Sequence, residues 1–229
     1  MITPKVNYRL LFNQCVLCKN HACLPSGFCE ACTNDLPWLS NGCSICSIPI
    51  PTQDGILICA ECQKKPPYYD NVTALFEYRF PINKLIGKIK YSHQPQLIGH
   101  LAALTADRIT LNPEIKSLIP IPMHSFSRFK RGFNQAELLA SELSKHINIP
   151  VDRNCLVKIK QTERQMQLPR SSRLKNPKGA FKCRPINYES VMLIDDVMTT
   201  GATLNEAARC LKSAGVKHVE ALVIARTEH

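Results

Sequence analysis

From residue 71 onward the apolar positions switch between two rhythms. Asn71–Tyr78 (NVTALFEY) is rich in β-branched and aromatic residues and predicts a strand. Leu85, Ile86 and Ile89 recur at helical spacing, with Lys84, Lys88 and Lys90 elsewhere on the turn. Gln96–Ile109 predicts a second helix, stopped before Asn112-Pro113. Ser117–Ile121 (SLIPI) reads as a short buried strand entering a polar, basic loop. Phe133–His146 places Ala136, Leu139, Ala140 and Leu143 on one helical face. Ser190–Ile194 (SVMLI) is a near-continuous apolar strand, Thr203–Ala214 a helix stopped at Gly215, and His218–Ala225 a closing strand. Strand and helix in alternation predict an α/β fold with a mainly parallel sheet flanked by helices, whose ligands bind beyond the carboxyl ends of the strands.

The first sixty-odd residues follow no such rhythm. Four Cys-x-x-Cys pairs succeed one another, Cys15/Cys18, Cys29/Cys32, Cys43/Cys46 and Cys59/Cys62, separated by 10, 10 and 12 residues. Nine of the 12 cysteines lie between Cys15 and Cys62. Each pair presents two thiolates to one tetrahedral ion, and two pairs close a four-sulfur shell. A segment this short and this poor in large apolar residues needs metal to hold it together. Two structural Zn²⁺ are expected. Sequential pairing, a double zinc ribbon, is favoured over a cross-brace, because each intervening segment can close its own site. His21 and Cys23 read as spare residues in the first site's loop. An iron–sulfur cluster or a redox dithiol fits less well. The Pro-Pro pair of Gln63–Tyr69 (QKKPPYY) marks a linker, so the expected division is 1–65 and 66–229.

Charge sharpens the picture. The formal net charge is +11, yet residues 1–65 carry only +1. Arg128–Arg184 holds 14 basic and 4 acidic residues, a local +10. That field suits a pyrophosphate, a nucleic-acid backbone, or both. With 45% hydrophobic and 21% charged residues, no apolar run long enough to span a membrane and no secretory leader at the start, a cytosolic (cytoplasmic) globular protein without membrane insertion is expected.

The chemistry concentrates at VMLIDDVMTTGATL (191–204). The strand runs into Asp195 and Asp196, then Val197-Met198-Thr199-Thr200-Gly201-Ala202-Thr203 and a helix. Helix-start amides and the hydroxyls of Thr199, Thr200 and Thr203 can surround a phosphate, with Gly201 allowing close backbone approach. The two carboxylates can accept hydrogen bonds from ribose hydroxyls or bind Mg²⁺.

This stretch closely resembles the signature loop of the type I phosphoribosyltransferases. FKRGFNQAELLA (129–140), QTERQMQLPRSSRLKNPKGAF (161–181) and the amino-terminal knuckles with their KKPPYYD linker narrow the resemblance to the ComF family of ComFC/GntX-like competence proteins. The resemblance implies a type I phosphoribosyltransferase fold behind a double zinc ribbon, binding phosphoribosyl pyrophosphate (PRPP) with Mg²⁺. By it, Asp195 and Asp196 engage ribose and metal, and Met198, Thr199, Thr200, Gly201, Ala202 and Thr203 hold the 5′-phosphate. Pro120–Gln135 takes the place of the pyrophosphate loop, with Arg131, Asn134 and Gln135 as its polar candidates and Arg128 and Lys130 adding charge. Thr162, Gln165, Arg173 and Asn176 belong to a segment closing over the site. Lys158 and Lys160 stand where the family often has arginine, and Pro177 follows Asn176.

The family is linked to natural transformation, which implies single-stranded DNA and the DNA-uptake or recombination machinery as partners. Two other readings stay open: a metabolic phosphoribosyltransferase acting on an unidentified nucleobase or amine, and a non-catalytic sensor in which the ligand regulates DNA or partner binding. Residue type alone identifies no acceptor. Phe126, Phe129 and Phe133 lie among the basic residues, where they can stack bases or pack beneath the loop.

Overall fold

The computed structural model describes residues 14–20, 24–50, 57–92, 94–124, 128–129, 132–160 and 177–228. Its strands are β1 (Asn71–Glu77), β2 (Ser117–Pro120), β3 (Leu156–Lys158), β4 (Phe181–Cys183), β5 (Ser190–Met198) and β6 (His218–Arg226). Its helices are α1 (Glu30–Asn34), α2 (Ala60–Lys64), α3 (Ile82–Tyr91), α4 (Leu97–Ala106), α5 (Gln135–Ile147) and α6 (Ala202–Ser213). Four strands form a parallel sheet in the order β1-β6-β5-β2, and β3 and β4 make a separate antiparallel pair. Short β3 and β4, and the single-turn helices α1 and α2, carry too few residues to leave a periodic signature.

Alternation along β5 sorts its side chains into two cores. Val191 and Leu193 pack with Leu156, Phe181, Leu204 and Leu211. Met192 and Ile194 pack with Ile86, Leu101 and Leu139 on the opposite face. The sheet is thus buried on both sides, which is why β5 and β6 read as continuous apolar runs. Helix α5 begins where Asn134 accepts from the Ala136 amide at 3.1 Å and ends at Asn148 in the left-handed region.

The cysteine segment wraps one edge of this sheet. Leu39 donates to the Leu75 carbonyl at 2.8 Å and Glu77 to the Pro37 carbonyl at 2.9 Å, so residues 37–39 run antiparallel along the free edge of β1. Trp38 stacks on Phe76 with ring centroids 4.5 Å apart. Cys43, Cys46 and Cys62 join the core on the α6 face, whereas Phe28 and Leu36 join the core on the α3–α4 face. The cysteine-rich residues therefore straddle β1.

Several boundaries differ from the sequence reading, and two of them bear on the site. β5 continues to Met198, so Asp195 and Asp196 lie within the strand, in register with β6 (Asp195 beside Val223). Pairing with β6 overrides the poor strand preference of aspartate. β6 likewise extends one residue beyond Ala225, to Arg226.

Candidate functional site

Because successive strand residues face opposite ways, the two aspartates look into different cores. Asp196 is in phase with Met192 and Ile194 and meets α3, where Lys90 Nζ lies 2.7 Å from its Oδ2. Asp195 is in phase with Val191 and Leu193 and faces the β3–β4 pair, with Lys90 and, on its own side of the sheet, Lys158 as cationic neighbours. Burial, then the Asp196 charge, pushes the Asp195 carboxyl up to about 7. Burial works against the charge on Lys90, but Asp196 and Asp195 hold its pKa above the usual lysine value. Burial pulls Lys158 down, against the pull of Asp195. Two carboxylates on adjacent strand residues are therefore countered by one lysine from each side of the sheet. A pair so arranged suits a divalent cation or sugar hydroxyls, either of which can replace lysine as the carboxylates' partner.

Beyond Met198 the chain turns through Thr199, Thr200 and Gly201 into α6. Gly201 has φ +74°, and a Cβ there would stand 2.4 Å from Met198 Cε and 3.2 Å from Tyr69 Oη. The left-handed φ strains any residue that carries a Cβ, so the turn favours glycine. The Ala202 amide reaches Thr200 Oγ1 at 3.4 Å, and the Asn205 amide reaches the Gly201 carbonyl at 2.9 Å. Thr199, Thr200, Ala202 and Thr203 remain partly exposed, whereas the Met198 side chain is buried.

Other expected site residues fall less simply. Asn134 is buried and uses both ends of its amide internally, capping α5 and donating to the Ile121 carbonyl at 3.0 Å. It shapes the loop after β2. Gln135 is buried too, lining a small apolar pocket with Asp196, Ile86, Ile89 and Leu139. Arg131, Gln165 and Arg173 lie outside the described residues, as do Lys130, Thr162, Asn176, Phe126, His21 and Cys23. Arg128 reaches Glu137 at 3.4 Å, Phe129 is 90% exposed, and Phe133 packs against the α3–α4 core.

Lys90 and Arg226 were missed by sequence reasoning. Lys90 was placed off the apolar stripe, yet Ile82, Ile86 and Lys90 follow at four-residue spacing, and that continuation was the available signal. Arg226 ends β6 with 1% exposure and bonds to backbone carbonyls and to the Cys46 side chain. The run HVEALVIA gives no hint that the next residue stays inside.

The eight knuckle cysteines form two groups, Cys15/Cys18/Cys29/Cys32 and Cys43/Cys46/Cys59/Cys62, with the four sulfurs of each within 4.8 Å of one another. This is the sequential pairing. Amides already point at sulfur: Cys32 N to Cys29 Sγ at 3.4 Å and Cys59 N to Cys43 Sγ at 3.3 Å. Four thiolates in so small a volume suit one tetrahedral divalent ion per group, with no ligand position left for catalysis. Among the described residues, no helix is long and apolar enough to cross a membrane.

Comparison with known proteins agrees with this architecture. Residues 93–229 match the family described as "Phosphoribosyl transferase domain". "Competence protein F" of Haemophilus influenzae is 30% identical over 224 residues, covering 93% of this chain and 96% of that one. "DNA utilization protein YhgH" of Escherichia coli strain K12 is 28% identical over 221 residues, with the same coverage. "Competence protein ComFC" of Bacillus subtilis is 26% identical, covering 82% of this chain and 78% of that one. Among solved structures, an adenine phosphoribosyl transferase from Trypanosoma brucei aligns with 62% of this chain and 68% of its own at 14% identity, with a TM-score of 0.35. With two four-cysteine groups ahead of a phosphoribosyltransferase-type α/β sheet, and relatives matched over nearly its full length, this chain belongs to the ComF family of competence and DNA-utilization proteins.

Proposed function

We propose that the chain binds PRPP with Mg²⁺ at the carboxyl end of β5 and acts in the uptake or handling of single-stranded DNA during natural transformation. The observation that carries the ligand reading is the paired aspartates, held between Lys90 and Lys158 and followed directly by the Thr199–Gly201 turn. The carboxylates are placed for ribose hydroxyls and Mg²⁺, the turn for the 5′-phosphate. Mg²⁺ would neutralise pyrophosphate. Phosphoribosyl transfer then demands mainly positioning and charge stabilisation from the protein. Residues 1–65 act as the zinc-ribbon module, with one Zn²⁺ per four-cysteine group, and 66–229 as the phosphoribosyltransferase-type domain. We place the protein in the cytoplasm.

Support for the DNA reading comes from the relatives' names and from charge. Lys160, Lys178, Lys182 and Arg184 are exposed on and around the β3–β4 pair, beside the site. Lys158 does not belong with them, since it is partly buried and turned toward Asp195 and the Phe181 ring.

The decisive test is calorimetry of PRPP with and without Mg²⁺, on wild type and Asp195→Asn/Asp196→Asn. Binding by wild type alone is expected, and equal binding by the variant would refute the site. Pyrophosphate release across a panel of nucleobases and amines, with and without DNA, separates a metabolic transferase from a binding role. Disrupting the gene and scoring transformability tests the biological assignment.

A further inference from the structure

A buried guanidinium normally faces a carboxylate, because an unpaired charge away from water is costly. Arg226 has 1% exposure, and among the described residues it bonds to backbone oxygens and to the Cys46 side chain. Its Nε donates to the Cys46 carbonyl at 3.1 Å. One terminal nitrogen donates to the carbonyls of Met198 at 3.2 Å and Thr227 at 3.1 Å, and to that of Thr199. Among the described residues no carboxylate forms an ion pair with it.

The missing countercharge has a source. Cys46 belongs to the second four-cysteine group, and four thiolates around one divalent zinc carry a net charge of about −2. Arg226 thus lies between an anionic metal site and the turn that leads into α6. Its grip on that turn has direction. In a trans peptide the carbonyl and the following amide point opposite ways. With the Met198 and Thr199 carbonyls drawn toward Arg226, the Thr199 and Thr200 amides must face away from it. Those amides belong to the turn assigned above to the 5′-phosphate.

We infer that Arg226 is a positioning residue that ties the phosphate-binding turn to the second four-cysteine group, so that PRPP affinity depends on metal in that group and not on metal in the first. This rests on the PRPP reading above. The second group supplies charge and a fixed carbonyl at one end of the guanidinium. Arg226 orders the turn at the other end. The first group sits against α4, where His100 Nδ1 meets the Ser26 carbonyl at 2.8 Å, and among the described residues it has no such route to the turn. Coupling of this kind is reciprocal, so PRPP must also hold the second metal more firmly.

The test begins with wild-type protein carrying two zinc ions. Zinc transfer to a colorimetric chelator is followed with and without PRPP and Mg²⁺, alongside calorimetry. PRPP should slow release of one zinc and leave the other unchanged. Arg226→Lys keeps charge but cannot reach both sides at once. It should retain two zincs and a cooperative melt, lose PRPP affinity by roughly tenfold or more, and lose the protection. Cys59→Ser should weaken PRPP binding, whereas Cys18→Ser should lose one zinc with affinity intact. If wild type binds PRPP yet both zincs leave at unchanged rates, or Arg226→Lys binds like wild type, the coupling is overturned while the binding site stands. If wild type binds no PRPP, both readings fall together.

Discussion

Lys90 Nζ lies 2.7 Å from Asp196 Oδ2, so a cation from α3 already occupies the carboxylate that faces the α3–α4 core. Any Mg²⁺ reaching this aspartate competes with an ammonium group. Lys90→Ala should therefore lower the stability, by no more than the roughly 3–5 kcal/mol lost when a fully buried pair is broken, since both partners keep some exposure. Mg²⁺ should restore stability to the variant more than to wild type. Thermal melts across a Mg²⁺ series check this, and equal shifts in the two proteins would exclude competition.

Asp195 gives a pH dependence of definite sign. Its carboxyl is raised from the ordinary carboxylate range to about 7, chiefly by burial. The folded protein therefore holds this proton more tightly than the unfolded chain does. The resulting stability is present at low pH and is lost as pH rises through about 7. Asp195→Asn should flatten the decline in stability between about pH 4 and about pH 7, the window between the ordinary and the raised value. Over the same range, Mg²⁺-dependent PRPP affinity of wild type should rise, because the metal needs the ionised form. Calorimetry at three pH values decides it.

Purified protein should carry two zinc ions, one per four-cysteine group, as elemental analysis can establish. Folded protein prepared without chelator and found free of metal would refute the ribbon reading.

Gly201→Ala should abolish PRPP binding without unfolding the sheet. The left-handed φ of +74° strains any residue with a Cβ, and the new Cβ would also press on the end of the Met198 side chain. Circular dichroism unchanged from wild type, with calorimetric heats lost, is the expected outcome. Retained binding would mean that this turn is not the phosphate site.

Replacing Lys160, Lys178, Lys182 and Arg184 with Gln should make single-strand DNA affinity less sensitive to salt. If all four meet phosphates, the log–log slope should fall by about 3. An unchanged slope would leave them as a solvated face. PRPP binding should not change.

How much of this was legible in the sequence depended on how local the signal was. Helices α3 and α5 announce themselves because their buried residues recur every three or four positions over ten residues or more. The two cysteine groups were readable because knuckle and spacing are local properties. The acidic pair and the Thr-Thr-Gly turn were legible as chemistry, but the place of the pair inside β5 was not, since register with β6 is set by residues 28 positions away. The partners of the acidic pair were hidden for the same reason: Lys90 and Lys158 come from distant elements on opposite faces. Asn134 misled in the other direction. A polar residue in a candidate loop invites a ligand role, yet here it caps a helix and holds the Ile121 carbonyl.

The strip of chain at Pro37–Leu39 carries a consequence for the protein's life in a cell. It satisfies backbone groups of β1 that would otherwise face outward as an open template. The segment lies between the two cysteine groups, so its order should depend on them. Zinc starvation should therefore show itself first as loss of solubility, with the apolar edge from Val72 to Phe76 free to pair with its copy on another chain. Recovery from the pellet fraction, rather than any assay of turnover, would be the earliest sign that metal supply had failed.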